Sequence, residues 1–189
     1  MSETDPPRPH EAAREAFPHE QWEDATSIKF RHKGVDFELP GDMENITVAR
    51  SRLTHMKDDE RILAKEIRQA KILAGQGSSI YLLPKPLGPD GRHLPGPDAL
   101  VDGIPFEFKT VTGGIGKIEK HFRDSRKQGP NTFILVANPN IAKNDVTRKL
   151  SGIVNSDDYG GGFEGTVIFT VGKGKSERTY SMKIKDLMR

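Results

Sequence analysis

The Asp-Gly pair at 102–103, inside PDALVDGIPFEFK (97–109), constrains this chain more than any other stretch. Asp-Gly readily takes the two successive left-handed conformations of a two-residue hairpin loop, so paired strands are predicted on either side of it. In that register Val101 faces Ile104, Leu100 faces Pro105, Ala99 faces Phe106, and Asp98 faces Glu107. Directly opposed residues have Cβ atoms about 4.5–5.5 Å apart, close enough for two carboxylates to repel unless something positive lies between them. Strand alternation sets Glu107 and Lys109 on one face, with Phe106 and Phe108 turned into the core on the other. Two opposed acids suit a hard divalent cation such as Mg²⁺, which takes oxygen ligands. A lysine beside them can position or deprotonate a water, or offset charge developing on a phosphate. The plain alternative is a hairpin whose acids are hydrated at the surface.

The helix predicted upstream adds a third acid. DDERILAKEIRQAKILAGQG (58–77) opens on acids, runs through helix formers and closes on Gly75 and Gly77. At 100° per residue, Glu66 falls about 40° from Ile62, within the arc shared by Leu63, Ile67, Ala70 and Leu73. A carboxylate on the core-facing stripe is costly unless it is paired or bound to a cation. It either meets a buried Arg or Lys or is delivered to the pocket of Asp98 and Glu107. Glu60, at the edge of the arc, is the weaker candidate.

Around this centre, SSIYLLPKP reads as a short strand and LGPDGRHLPG as a loop. GGIGKIEKHFRDSRKQG reads as a glycine-rich entry to a helix, NTFILVAN as a buried strand and NDVTRKLSGIV as a further helix. GTVIFTVG and RTYSMKIKDL alternate and can pair around KGKSE. SIKFRHKGVDFELP (27–40) looks like a hairpin around Lys33-Gly34, and ENITVARSRLTHM (44–56) fits helix or strand. The order is that of an α/β fold with a central mixed β-sheet flanked by helices. Residues 1–27, rich in Pro, Glu and His, are expected as a flexible acidic leader or linker with a short helix near HEAAREAF, and 28–189 as one domain. Trp22, the one tryptophan, is expected as a packing contact.

Charge divides unevenly. Residues 1–60 hold 8 Lys/Arg against 14 Asp/Glu, and residues 61–189 hold 21 against 13. A basic body attracts polyanions, and Lys117, Lys120, Arg123, Arg126 and Lys127, with His121, form its densest run; the alternative is a solvated helix face. There is no cysteine, which excludes disulfides, thiolate zinc sites and a cysteine nucleophile. No apolar run approaches the roughly 20 residues of a membrane span. The histidines lack metal-ligand spacing, the serines form no nucleophile elbow, and TGGIGK lacks the Gly-Lys-Ser/Thr of a phosphate-binding loop.

Glu66 on a helix, Asp98 after a literal Pro97, and EFK at Glu107–Lys109 resemble the PD-(D/E)xK nuclease superfamily. More narrowly, GPDALVDGIPFEFKT, the helix leading to Gly77, and RKQGPNTFILV are similar to the C-terminal tRNase domains of contact-dependent growth-inhibition toxins. The resemblance covers about residues 58–137. It implies a restriction-endonuclease-like core and metal-assisted hydrolysis of phosphodiester bonds in RNA, tRNA foremost. Asp98 and Glu107 would be metal ligands, Glu66 a direct or water-bridged one, Lys109 the group that orients the attacking water, and Gln128 an accessory residue. It further implies Mg²⁺, an immunity protein as partner, and a bacterial toxin delivered into a target-cell cytoplasm. A DNA endonuclease and a non-catalytic nucleic-acid or protein-binding module are the competing expectations.

Overall fold

The computed structural model describes residues 8–25, 29–32, 35–38, 45–53 and 57–189. The expected turn at Lys33-Gly34 and the end of the ambiguous stretch, at 54–56, lie outside these residues, as does the side chain of Glu60. The chain forms two compact units, Met1–Pro105 and Phe106–Arg189.

The first unit carries a mixed sheet of four strands, β1 (Trp22–Asp24), β4 (Ile46–Ala49), β5 (Ile80–Leu82) and β6 (Ala99–Val101), in that order. A separate two-stranded ribbon pairs β2 (Lys29–His32) with β3 (Val35–Glu38). β4 and β5 are parallel, joined through helix α2 (Lys57–Ala74), because a parallel pair needs a crossover long enough to hold a helix. β1 on β4 and β6 on β5 are antiparallel. The ambiguous stretch is therefore strand, followed by a 3-10 turn at Arg50–Leu53. Leu63, Ile67, Ala70 and Leu73 of α2 are buried as the periodicity predicts, together with Glu66 and Gln69 on the same face, but Ile62, in the first turns of the helix, is exposed.

Residues 8–25 fold onto this unit. Helix α1 (Pro9–Ala16) buries Ala13 against Leu83 and Leu100, and the Trp22 ring meets Tyr81 edge-on at 5.4 Å. Short elements of this kind, with one or two apolar anchors, carry little periodicity of their own.

β6 leads into β7 (Ile104–Val111) through the expected two-residue turn. Asp102 and Gly103 both have positive φ, 51° and 83°. Asp102 is eased into this conformation by its carboxylate, which accepts a 2.8 Å bond from the Ser79 amide.

The second unit takes over within β7. It runs through α3 (Gly116–Arg126), β8 (Thr132–Val136), α4 (Lys143–Val154), β9 (Thr166–Val171) and β10 (Arg178–Lys183). β7, β8 and β9 are parallel neighbours, each pair joined by a helix, and β9 and β10 close an antiparallel hairpin in which Val171 faces Arg178. β8 is buried along its whole length, as a parallel strand covered on both faces must be. Phe122, Ile134, Val146, Leu150 and Phe169 are fully buried in one cluster. Both units are thus α/β with mixed sheets and packed helices. No helix among the described residues is long and apolar enough to cross a membrane.

One backbone contact fixes the edge of the second unit. Gly165 has φ +94°, and a Cβ built there would lie 1.9 Å from the Pro130 carbonyl oxygen. Gly165→Ala is expected to cost about 2 kcal/mol or more, read as a lowered urea midpoint with unchanged slope.

Candidate functional site

Buried carboxylates organise both units. In the first, α2 turns Glu66 inward until 5% of it is exposed. Its Oε2 accepts a 2.5 Å bond from Nη1 of Arg52, itself buried, which also donates to the Leu83 carbonyl. The other oxygen, Oε1, lies 3.5 Å from Lys85 Nζ, and the same ammonium donates to Asp98 Oδ1. Asp98, buried just before β6, also accepts from the Leu83 amide through its backbone carbonyl. Arg52, Glu66, Lys85 and Asp98 therefore form one chain of alternating charge. Burial pushes the Glu66 carboxyl above its ordinary range; Arg52 and Lys85 pull it down and Asp98 adds to the rise. Burial would lower Lys85, but Glu66 and Asp98 outweigh it and hold the ammonium above the usual lysine range.

The sequence weighed two fates for Glu66, and this pairing is the first of them: a buried arginine meets it. Asp98 shares Lys85 with it. Neither Arg52 nor Lys85 was marked by the sequence. Arg52 lies in a stretch of ambiguous periodicity and Lys85 between two prolines, so no local pattern signalled either.

In the second unit Glu107 stands mid-strand on β7, and 5% of it is exposed. Lys109, two residues on and so on the same face, donates to its Oε1 at 2.6 Å. Gln128, in the turn that follows α3, donates Nε2 to the same oxygen at 3.0 Å. The parallel pairing of β7 and β8 sets Glu107 beside Thr132, which brings the residues just ahead of β8 to this point. Phe106 and Phe108 are buried as alternation requires, and Phe108 meets Phe133 edge-on at 5.5 Å. Three of the five residues assigned a catalytic part, Glu107, Lys109 and Gln128, thus converge on one oxygen.

His121 on α3 belongs to the same surroundings. Its partial burial, then the charges of Lys109 and Lys120, hold its pKa below the ordinary 6.5, against a smaller opposite pull from Asp124.

The basic run on α3 divides into two kinds of residue. Arg123 bonds Glu119, the Asp158 carboxylate and carbonyl, and Ser156, while Arg126 donates to the carbonyls of Pro130, Gly162 and Glu164. These two arginines hold the 156–164 loop. Lys117, Lys120 and Lys127 are exposed, Lys127 in a 3.1 Å contact with Asp124. The glycine-rich entry to α3 is tied down where Asn138 Nδ2 donates to the Gly113 carbonyl.

The donors of Asp98 and Glu107 are hard carboxylate oxygens, the kind that suits Mg²⁺; Glu66 is already spanned by Arg52 and Lys85. Among the described residues no group of three or more His, Asp or Glu side chains is gathered as a cation cage. No family model, no curated protein and no solved structure matches the chain.

Three outcomes follow. Arg52→Ala leaves the Glu66 charge buried without its guanidinium and is expected to lower stability by about 3–5 kcal/mol, measured by denaturant unfolding. His121 charges with a folded midpoint below 6.5. Its contribution to stability is therefore whole above pH 6.5 and is lost as the pH falls toward that midpoint. Lys109→Met is expected to raise the His121 midpoint, followed by its ring proton resonances.

Proposed function

We propose that this chain is a metal-dependent ribonuclease with a restriction-endonuclease-like core, hydrolysing phosphodiester bonds in RNA, tRNA foremost, as a bacterial toxin domain. The observation that carries the reading is the Lys109–Glu107–Gln128 arrangement: an ammonium and an amide converge on one oxygen of a buried carboxylate, at the residues the EFK motif singles out. A lysine held on a buried acid by a 2.6 Å bond is a fixed donor, and fixed donors stabilise charge without reorganising during the reaction.

The sequence pattern assigns Asp98 and Glu107 to the metal, and their donor chemistry fits Mg²⁺. When bound, such an ion polarises the phosphoryl oxygen and lowers the pKa of a water. Glu66 then serves through the Arg52–Glu66–Lys85–Asp98 chain, holding Asp98 in place through the lysine they share. Lys109 orients the attacking water by hydrogen bonding and offsets the negative charge that grows on the phosphate. Gln128 fixes the Glu107 carboxylate so that its two oxygens are not interchangeable. His121, whose pKa is held below 6.5 by its partial burial and by the charges of Lys109 and Lys120, gains a positive charge when it takes up a proton. An immunity protein is the partner this reading calls for, covering the site in the producing cell.

A second reading has its own observation. Lys85 already neutralises Glu66 and Asp98 from between them, as a structural polar network would. That favours a non-catalytic nucleic-acid or protein-binding module, and metal dependence separates the two.

With Mg²⁺, the protein is expected to degrade total RNA, tRNA before plasmid DNA. Chelator, Asp98→Ala and Lys109→Ala should each reduce the rate by at least about 100-fold, and Gln128→Ala by less. Equal RNA loss in wild type and variants, or none in any, sinks the nuclease reading; binding that persists without cleavage selects the second.

A further inference from the structure

The loop between α4 and β9 holds one aromatic ring outward at considerable structural expense. Residues 158–165 run Asp-Tyr-Gly-Gly-Gly-Phe-Glu-Gly, a composition that would by itself leave the backbone free. Here it is bound at several points. Arg126 reaches the Gly162 and Glu164 carbonyls at 2.6 and 2.9 Å, the Tyr159 hydroxyl donates to Gly162 at 3.1 Å, and Arg123 holds Asp158. The buried Tyr159 ring stacks on Phe122, with the planes 10° apart. Gly161 is packed against that tyrosine, where a Cβ would come within 2.6 Å of the ring, and Gly165 against Pro130. A loop fixed this firmly presents Phe163 with 45% of its surface exposed, its ring centroid 5.8 Å from that of Tyr159.

Phe163 borders a cavity of about 650 Å³. Its other walls include Arg126, Lys127, Gln128, Pro130 and Glu164. The cavity therefore joins an aromatic face, an exposed ammonium, a carboxylate rim and the amide that is bonded to Glu107.

We propose that this cavity is a subsite for one unpaired nucleobase and its adjoining phosphate, with Phe163 as the stacking face. The observation beneath it is the tethered loop, which has already given up the freedom that a flexible loop would lose on binding. Every base offers a π-face to such a ring, whatever the sequence. Lys127 answers the phosphate, and Glu164 accepts from exocyclic amino groups of the base. A single exposed ring bordered by charged and polar side chains suits a base better than a protein interface, which draws on a broader apolar patch. The proposal deepens the ribonuclease reading and rests on it for the choice of nucleic acid: Gln128, shared between the cavity and Glu107, would set the bound nucleotide next to the reacting phosphate.

The test is binding of a fluorescent single-stranded RNA octamer, followed by anisotropy in chelator so that no cleavage intervenes. Phe163→Ala is expected to weaken binding about tenfold, Phe163→Trp to retain it, and neither to weaken binding of a duplex of the same sequence. Lys127→Gln should weaken single-strand binding and reduce its salt dependence. A parallel DNA octamer identifies the source: the same loss for DNA assigns the cavity to any unpaired base, and loss for RNA alone assigns it to ribonucleotides. Thermal melting of Phe163→Ala like that of the wild type establishes that the fold is intact. Octamer binding within twofold of wild type for Phe163→Ala, or an equal loss on the duplex, overturns the subsite, and RNA cleavage that persists beside it leaves the nuclease reading standing. Conversely, the stated binding loss supports the subsite even where Asp98→Ala and wild type prove equally inactive.

Discussion

Glu66, Asp98 and Glu107 are the carboxylates that the described residues take almost wholly out of water, and a cation accompanies each one: Arg52 and Lys85 with Glu66, Lys85 with Asp98, Lys109 with Glu107. An ion moved from water into a protein interior loses several kcal/mol of solvation, which only close, well-directed partners offset. The elements carrying these partners are thereby tied together. Arg52 links the 3-10 turn after β4 to the inner face of α2, and Lys85 ties the segment after β5 to the residue before β6. Pairs of this kind add little net stability compared with apolar packing, but losing one partner is expensive. They therefore specify arrangement more than they strengthen it, and a chain that keeps them has polar groups set where chemistry can use them.

The second unit shows how connectivity aims such groups. β7, α3 and β8 form a parallel crossover, so the chain leaving α3 must return alongside β7 before β8 begins. That return places Gln128 against Glu107, although 21 residues separate them. The next crossover, through α4 to β9, brings the 156–165 loop back over the end of α3, where Arg123 and Arg126 seize its carbonyls and acid. Two arginines that look in sequence like part of a phosphate-binding track thus build the scaffold, and the exposed lysines remain as the electrostatic surface.

The parts of the candidate site that were legible in sequence share a property: each announces itself through nearby residues. Asp102-Gly103 set the turn, alternation set Glu107 and Lys109 on one face with Phe106 and Phe108 on the other, and the helical period marked Glu66 as misplaced for solvent. Arg52 and Lys85 were not legible, because a salt bridge between residues 14 or 19 positions apart leaves no periodic trace. β1 escaped for a related reason, and α1 was legible only as a short helix in a leader expected to be flexible, since the packing of both comes from Ala13 and Trp22 meeting Leu83, Leu100 and Tyr81 far along the chain.

Local stereochemistry and the burial of apolar side chains thus let the sequence alone determine the α/β class, the hairpin, the main helices and the inward placement of Glu66. Tertiary structure decided what the buried acids meet. It gave Glu66 to Arg52, set Lys85 between Glu66 and Asp98, turned Gln128 onto Glu107, and made Phe163 a fixed exposed ring instead of a loop residue. The reason is that the free energy of a buried charge or a tethered loop resides in partners brought together from distant parts of the chain, and those partners exist only once the sheet and its crossovers have formed.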